Sequence, residues 1–147
     1  MSLKNKKIFI FAIMTVAFLG ILDTGYLAYE HFSGVVPPCT INGCERVLTS
    51  EYAVIFGVPL GLWGLAFYSS VLTLAVLSYF WESRKTFLIL LSTTAIGFLM
   101  SLGFVYIQLF VLKAICMYCM ISAATATALF ALTLYLFIIL RKFQPRH

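Results

Sequence analysis

Apolar residues in this chain run on for twenty or more positions at a time, and polar residues fall at only a few breaks. The first apolar run, Ile8 to Tyr29, follows Lys4, Lys6 and Lys7. It is longer than the apolar region of a secretory signal, and no clear small-x-small cleavage site follows it, so it predicts a retained helix over 8–29. A polar stretch follows, "EHFSGVVPPCTINGCERVLTSEY", Glu30 to Tyr52. Its paired prolines, its glycines and its Asn-Gly dipeptide predict a loop over 30–52. The second run, Ala53 to Trp81, is longer than one membrane span needs and carries Pro59 near its start. Proline suits the first turn of a helix and disrupts later ones. The second span is therefore expected over 59–80, with 53–58 as a short interfacial segment.

"ESRK", Glu82 to Lys85, is a short polar turn. From Thr86 to Leu140 the chain is apolar for a length that suits two spans. Gln108 and Lys113 mark the expected break, giving spans over 87–108 and 114–140. The basic tail "RKFQPRH" closes the chain. The prediction is an all-α integral membrane fold: one four-transmembrane-helix bundle over 1–147, with a short outward half-helix after the first outward loop.

Composition agrees. Of 147 residues, 63% are hydrophobic and 10% charged. A soluble domain is nearer half apolar and a quarter charged. The net charge of +5 does not indicate nucleic-acid binding, because the charges sit at the ends of apolar runs and form no basic face. Four spans put both ends of the chain on one side. Lys4, Lys6, Lys7, Arg84, Lys85, Arg141, Lys142 and Arg146 fall there, against Arg46 and Lys113 on the other. Basic residues accumulate on the cytoplasmic side of a membrane, so the 30–52 loop and the turn between the last two spans are expected to face outward.

That orientation gives the cysteines their meaning. Cys39, Cys44, Cys116 and Cys119 all fall on the outward side, where disulfides form and persist. Cys116 and Cys119, in "CMYC", open the last helix. Residues three apart share a helix face, and a helix N-terminus favours a thiolate, the attacking species in disulfide exchange. Cys39 and Cys44 flank a turn at Asn42-Gly43, which lets the chain fold back and join the two sulfurs. One pair on a loop and one anchored at the membrane make a two-electron relay. The competing readings are static bonds in a non-enzymatic scaffold, a four-cysteine zinc site, and copper handling with Met117, Met120 and His31. Zinc knuckles belong where thiols stay reduced, and methionines beside a helix cysteine are ordinary packing.

Cys44 with Ser50 six residues on, "FGVP" at Phe56 to Pro59, and "CMYC" together resemble the vitamin K epoxide reductase family, in its bacterial and archaeal stand-alone form. The resemblance covers Gly20 to about Ala124. It implies a four-helix bundle around a quinone (ubiquinone, menaquinone or a related one) as electron acceptor. Cys119 would be the thiolate that meets the quinone and Cys116 its resolving partner. Cys39 and Cys44 would carry electrons from a thioredoxin-fold protein on the outward side, in support of disulfide bond formation. Ser50 would sit at the start of a half-helix capping the pocket, and Phe56 and Gly57 would line the quinone site. Where the vertebrate branch has an Asn and a Tyr on its naphthoquinone, this chain has Ala53 and Ala123, which sets epoxide reduction apart from simple quinone reduction. Many bacterial members carry a fused thioredoxin-like domain. These 147 residues hold none, so the expected partner is a separate protein. The expected location is a prokaryotic plasma membrane, with both ends of the chain cytoplasmic.

Asp23 lies inside the first span, where an ionisable residue is functional by default. The roles open to it are a proton route, a contact to the loop, or a bond to Thr24. Ser50 also reads as an N-cap. His31 reads as an interfacial loop residue. Lys113 reads as a membrane-edge residue that snorkels or as a cation acting on the thiols. Gly57, Gly61, Gly64 and the small-residue run "SAATATA" at Ser122 to Ala128 read as tight helix contacts.

Overall fold

A computed structural model describes residues 3–143. Five helices carry the fold: α1 (Leu3–Ser33), α2 (Cys44–Leu48), α3 (Leu60–Phe80), α4 (Arg84–Tyr106) and α5 (Met117–Phe143). A 3-10 turn, Glu51–Ala53, follows α2 and leads into an antiparallel hairpin, β1 (Val54–Ile55) and β2 (Val58–Pro59). The four long helices are each long and apolar enough to cross a membrane. In lipid no water satisfies backbone N–H and C=O groups, so spans of this composition close their hydrogen bonds as helices.

Four expectations shift. The first helix does not stop at Tyr29 but winds on to Ser33, because no breaker appears before Gly34, which takes φ 68°. The 30–52 segment is not all loop, since Cys44 opens α2. The interfacial segment 53–58 is mostly a hairpin, turned at Phe56 and Gly57 with φ of 53° and 76°. The short helical pieces therefore lie earlier than expected, over 44–48 and 51–53. The third span starts at Arg84 and runs past Gln108 as a wide π-helical turn, Ile107–Leu112, ending at Lys113 with φ 50°. Pro59 caps α3 where its ring is harmless. Of the basic residues counted by sequence, Arg146 lies outside the described residues.

Helix α1 packs chiefly on α3 and α5, and α4 on α5. Close approach of α1 and α3 depends on small residues. A Cβ on Gly61 would meet the Ala28 backbone, and one on Gly64 would meet the Thr24 side chain. Gly57, in the hairpin turn, has nothing within 4 Å and takes no part. At the basic end Ile10, Ile13, Val71, Leu90, Leu129 and Leu136 form the core. Lys6 pairs with Glu82 at 3.2 Å there, and Lys7 lies over the Tyr79 ring. At the other end Cys44, Val47, Ala114 and Cys116 form a second buried cluster, with Cys39 and Cys119 packed against it.

Candidate functional site

All four cysteines thus meet at the end of the bundle remote from most of the lysines and arginines. Cys39 and Cys44 are joined as a disulfide with Cα atoms 6.2 Å apart, while Cys116 and Cys119 are free thiols. The Asn42-Gly43 turn does more than close the loop. Gly43 takes φ 148°, and a Cβ there would lie 2.9 Å from the carbonyl oxygen and 3.0 Å from the nitrogen of Ile115. The backbones of residues 43 and 115 therefore abut, and the residues that follow each of them are Cys44 and Cys116. The loop is tied down further: Tyr118 Oη donates to the Pro38 carbonyl at 3.1 Å, and Thr40 Oγ1 donates to the sulfur of Met117 at 3.5 Å.

Cys116 sits just before α5, and its carbonyl accepts the Met120 N–H at 3.0 Å. It therefore holds the N-cap position, where a side chain faces the free N–H groups of the first turn. Its thiol is pulled down to about 7, first by a hydrogen bond from the Cys119 side chain, against which burial acts, and then by the backbone N–H groups of Cys119 and Tyr118. The Asp23 charge pushes the other way. The helix start thus favours a thiolate at Cys116. Lys113 is exposed and is not among the groups acting on that thiol.

Cys119 faces a different environment. It lines a cavity of about 740 Å³ that Cys116 does not reach. The cavity runs between α1, α3, α4 and α5 and under the hairpin, past Phe67, Tyr68, Ile96, Gly97, Met100 and Phe104. The walls are mostly apolar, and the volume falls in the usual range for a small-molecule site. Ser122, Ala123 and Ala126, from the small-residue run after Cys119, make the room. Tyr68 closes the floor, donating to the Ser122 carbonyl at 2.7 Å.

The residues proposed to hold a ligand are not brought together equally. Ser50 lines the cavity, but its hydroxyl donates back to the Val47 carbonyl at 2.7 Å and does not cap the turn it precedes. Phe56 touches the cavity rim with a side chain 94% exposed, and Gly57 does not line the cavity. His31, Ala53 and Ala123 do line it. Asp23 makes no bond to Thr24, whose hydroxyl donates to Gly20 instead, and its Oδ2 is sealed without a partner among the described residues. No group of three or more His, Cys, Asp or Glu side chains among the described residues is arranged to hold a metal ion.

Gln108 is the residue that sequence reasoning undervalued. It marked a break between spans, yet it is buried in the π-helical turn. Its carbonyl accepts the Ala114 N–H at 3.0 Å, its Oε1 accepts the Cys116 N–H at 2.9 Å, and it lines the cavity. The signal was available: a lone amide in an apolar run, inside what lipid would cover, needs a partner. A π-turn is also common at functional sites.

Residues 11–134 match the Vitamin K epoxide reductase family. The chain is also similar to the Thiol-disulfide oxidoreductase LTO1 of Arabidopsis thaliana, 37% identical over 122 residues that cover 76% of this chain and 32% of that protein. The chain therefore spans about a third of the length of that curated relative.

Proposed function

The chain belongs to the vitamin K epoxide reductase family, and we propose that it is a membrane thiol:quinone oxidoreductase that supports disulfide bond formation. The observation that carries this reading is the division of labour within one cluster. Cys119 opens onto an apolar cavity of about 740 Å³, while Cys116 behind it is buried with Cys44. The printed name of the relative, a thiol-disulfide oxidoreductase, supports the same chemistry.

The steps balance. A thioredoxin-fold partner in its dithiol form reduces the Cys39–Cys44 disulfide and leaves as a disulfide. The Cys39–Cys44 dithiol then reduces the Cys116–Cys119 disulfide by thiolate attack, with Cys44 on Cys116 as the inner contact, and reforms its own bond. Finally, the Cys116–Cys119 dithiol closes to a disulfide. The two electrons and two protons it releases convert a quinone to a quinol. A bonded loop pair beside a free helix pair is the state expected just before this last step. A Cys116 thiolate suits the closing attack on the Cys119 sulfur. The charge bias of Lys4, Lys6, Lys7, Arg84 and Lys85 supports a basic end facing the cytoplasm and a cysteine end facing outward, and the bacterial-type motif supports a prokaryotic plasma membrane.

Turnover tests the reading. Purified protein, a short-chain quinone and a reduced thioredoxin-fold protein are mixed and quinone absorbance is followed. Wild type turns over, Cys119→Ala is inactive with every reductant, and Cys39→Ala is inactive with the protein reductant yet active with a small dithiol. Absence of quinone reduction by wild type with any thiol defeats the proposal.

A further inference from the structure

A ring with two carbonyls in so apolar a cavity needs at least one fixed hydrogen-bond donor to set its orientation. Several polar groups in the wall are already engaged, and His31, Tyr52 and Ser101, which also line it, have no side-chain hydrogen bond among the described residues to fix their direction. Tyr68 donates to Ser122, Thr24 to Gly20, Ser50 to Val47, and the Trp63 indole to Ile55. Gln108 is only half engaged. Its Oε1 takes the Cys116 N–H at 2.9 Å, and its Nε2 has no hydrogen-bond partner among the described residues. Among the described residues, the sealed side-chain nitrogens and oxygens without a partner are Asp23 Oδ2 and Ser78 Oγ. Gln108 Nε2 is not one of them, and the open volume that Gln108 lines is the one beside Cys119. The amide is planar, so pinning Oε1 also pins Nε2.

We propose that Gln108 Nε2 donates the hydrogen bond that holds a carbonyl oxygen of the ring reduced at Cys119. This rests on the quinone reading above and assigns the contact that orients the substrate. As electrons reach the ring, negative charge grows on its carbonyl oxygens before protons arrive. A fixed N–H aimed at such an oxygen stabilises the transition state more than the starting state. The two thiols supply both electrons and both protons, and Gln108 neither gains nor loses any. One amide thereby reads both reactants: its oxygen holds the backbone of Cys116 and its nitrogen holds the acceptor.

Two variants of the full chain separate donation from positioning. Gln108→Leu removes both hydrogen bonds. Gln108→Glu keeps an oxygen for the Cys116 N–H in either protonation state, but carries a donor only when protonated. The pre-reduced protein is mixed with short-chain quinone in a single turnover, and infrared difference spectra are taken with quinone isotope-labelled at its carbonyls. In wild type a labelled carbonyl band lies at the lower frequency of a hydrogen-bonded group. In Gln108→Leu it returns to the free position and the quinone step slows about 100-fold, the effect of losing one such donor. In Gln108→Glu the quinone step falls as pH rises through the new carboxyl's titration, a fall that wild type lacks. An unshifted band together with wild-type quinone rates in Gln108→Glu at all pH values overturns the inference. Loss of quinone reduction in wild type itself is a different result: it removes the quinone reading, and this inference with it.

Discussion

At the basic end of the bundle, Ile13, Val71, Leu90, Leu129 and Leu136 interlock to complete burial, whereas at the cysteine end the same four long helices stand apart around about 740 Å³. The difference lies in side-chain size and in the backbone. Large aliphatics fill the first half. In the second, Ser122, Ala123 and Ala126 leave space, and the π-helical turn over Ile107–Leu112 carries α4 past its regular end. Among the described residues each half also holds one sealed polar atom without a partner, Ser78 Oγ in the filled half and Asp23 Oδ2 in the hollow one. In the filled half such an atom is only a cost. In the hollow half its charge acts on Cys116. Packing holds one end together, and the other end gives up packing for chemistry.

The sharpest way to break that comparison is to fill the hollow half. Ala123 lies four residues after Cys119 on the cavity wall. Ala123→Phe is expected to cut quinone turnover about 100-fold, as expected when a reactant cannot take its geometry, while thermal stability stays near wild type. The converse change, Leu129→Ala at a fully buried site, is expected to destabilise by about 2 kcal/mol, the low end for such a truncation because lipid tails are as apolar as the core. Its turnover at low temperature is expected to match wild type. A thermal unfolding series with both variants checks the pair.

Electrostatics gives a smaller effect. The Cys116 thiol titrates at about 7, so its thiolate fills in as pH rises through 7 and empties as pH falls. Thiolate ultraviolet absorbance of the reduced protein follows this. Cys119→Ala removes the largest cause and moves the titration up, toward the ordinary thiol range. Asp23→Asn removes an opposing charge and moves it down. The smallest effect belongs to Ser78→Ala, which deletes an unpaired buried hydroxyl and is expected to be neutral or to stabilise by up to about 1 kcal/mol.

Much of this was legible in the chain. Lys4, Lys6, Lys7, Arg84 and Lys85 marked one end, the four cysteines marked the other, and long apolar runs gave four spans. What lay hidden had physical causes. Helix α1 runs on through Glu30 to Ser33 because polarity alone does not stop a helix; Gly34 does. Strands of two residues, Val54–Ile55 and Val58–Pro59, are too short to leave a pattern in an apolar run. A π-turn leaves no periodic trace where nearly every residue is apolar, so Gln108 read as a span end and not as part of a site. The helix start pointed to a thiolate and the resemblance gave that role to Cys119, but neither said which cysteine takes the N-cap. Cys116 takes it, and Cys119 takes the cavity.

The central claim is that electrons cross from the loop pair to the helix pair where Gly43 abuts Ile115. The direct measurement is disulfide trapping in a Cys39→Ser, Cys119→Ser variant, which leaves Cys44 and Cys116 alone. Mass spectrometry after mild oxidation is predicted to find one intramolecular Cys44–Cys116 bond in most molecules. Two free thiols, or bonds only between molecules, would contradict the account.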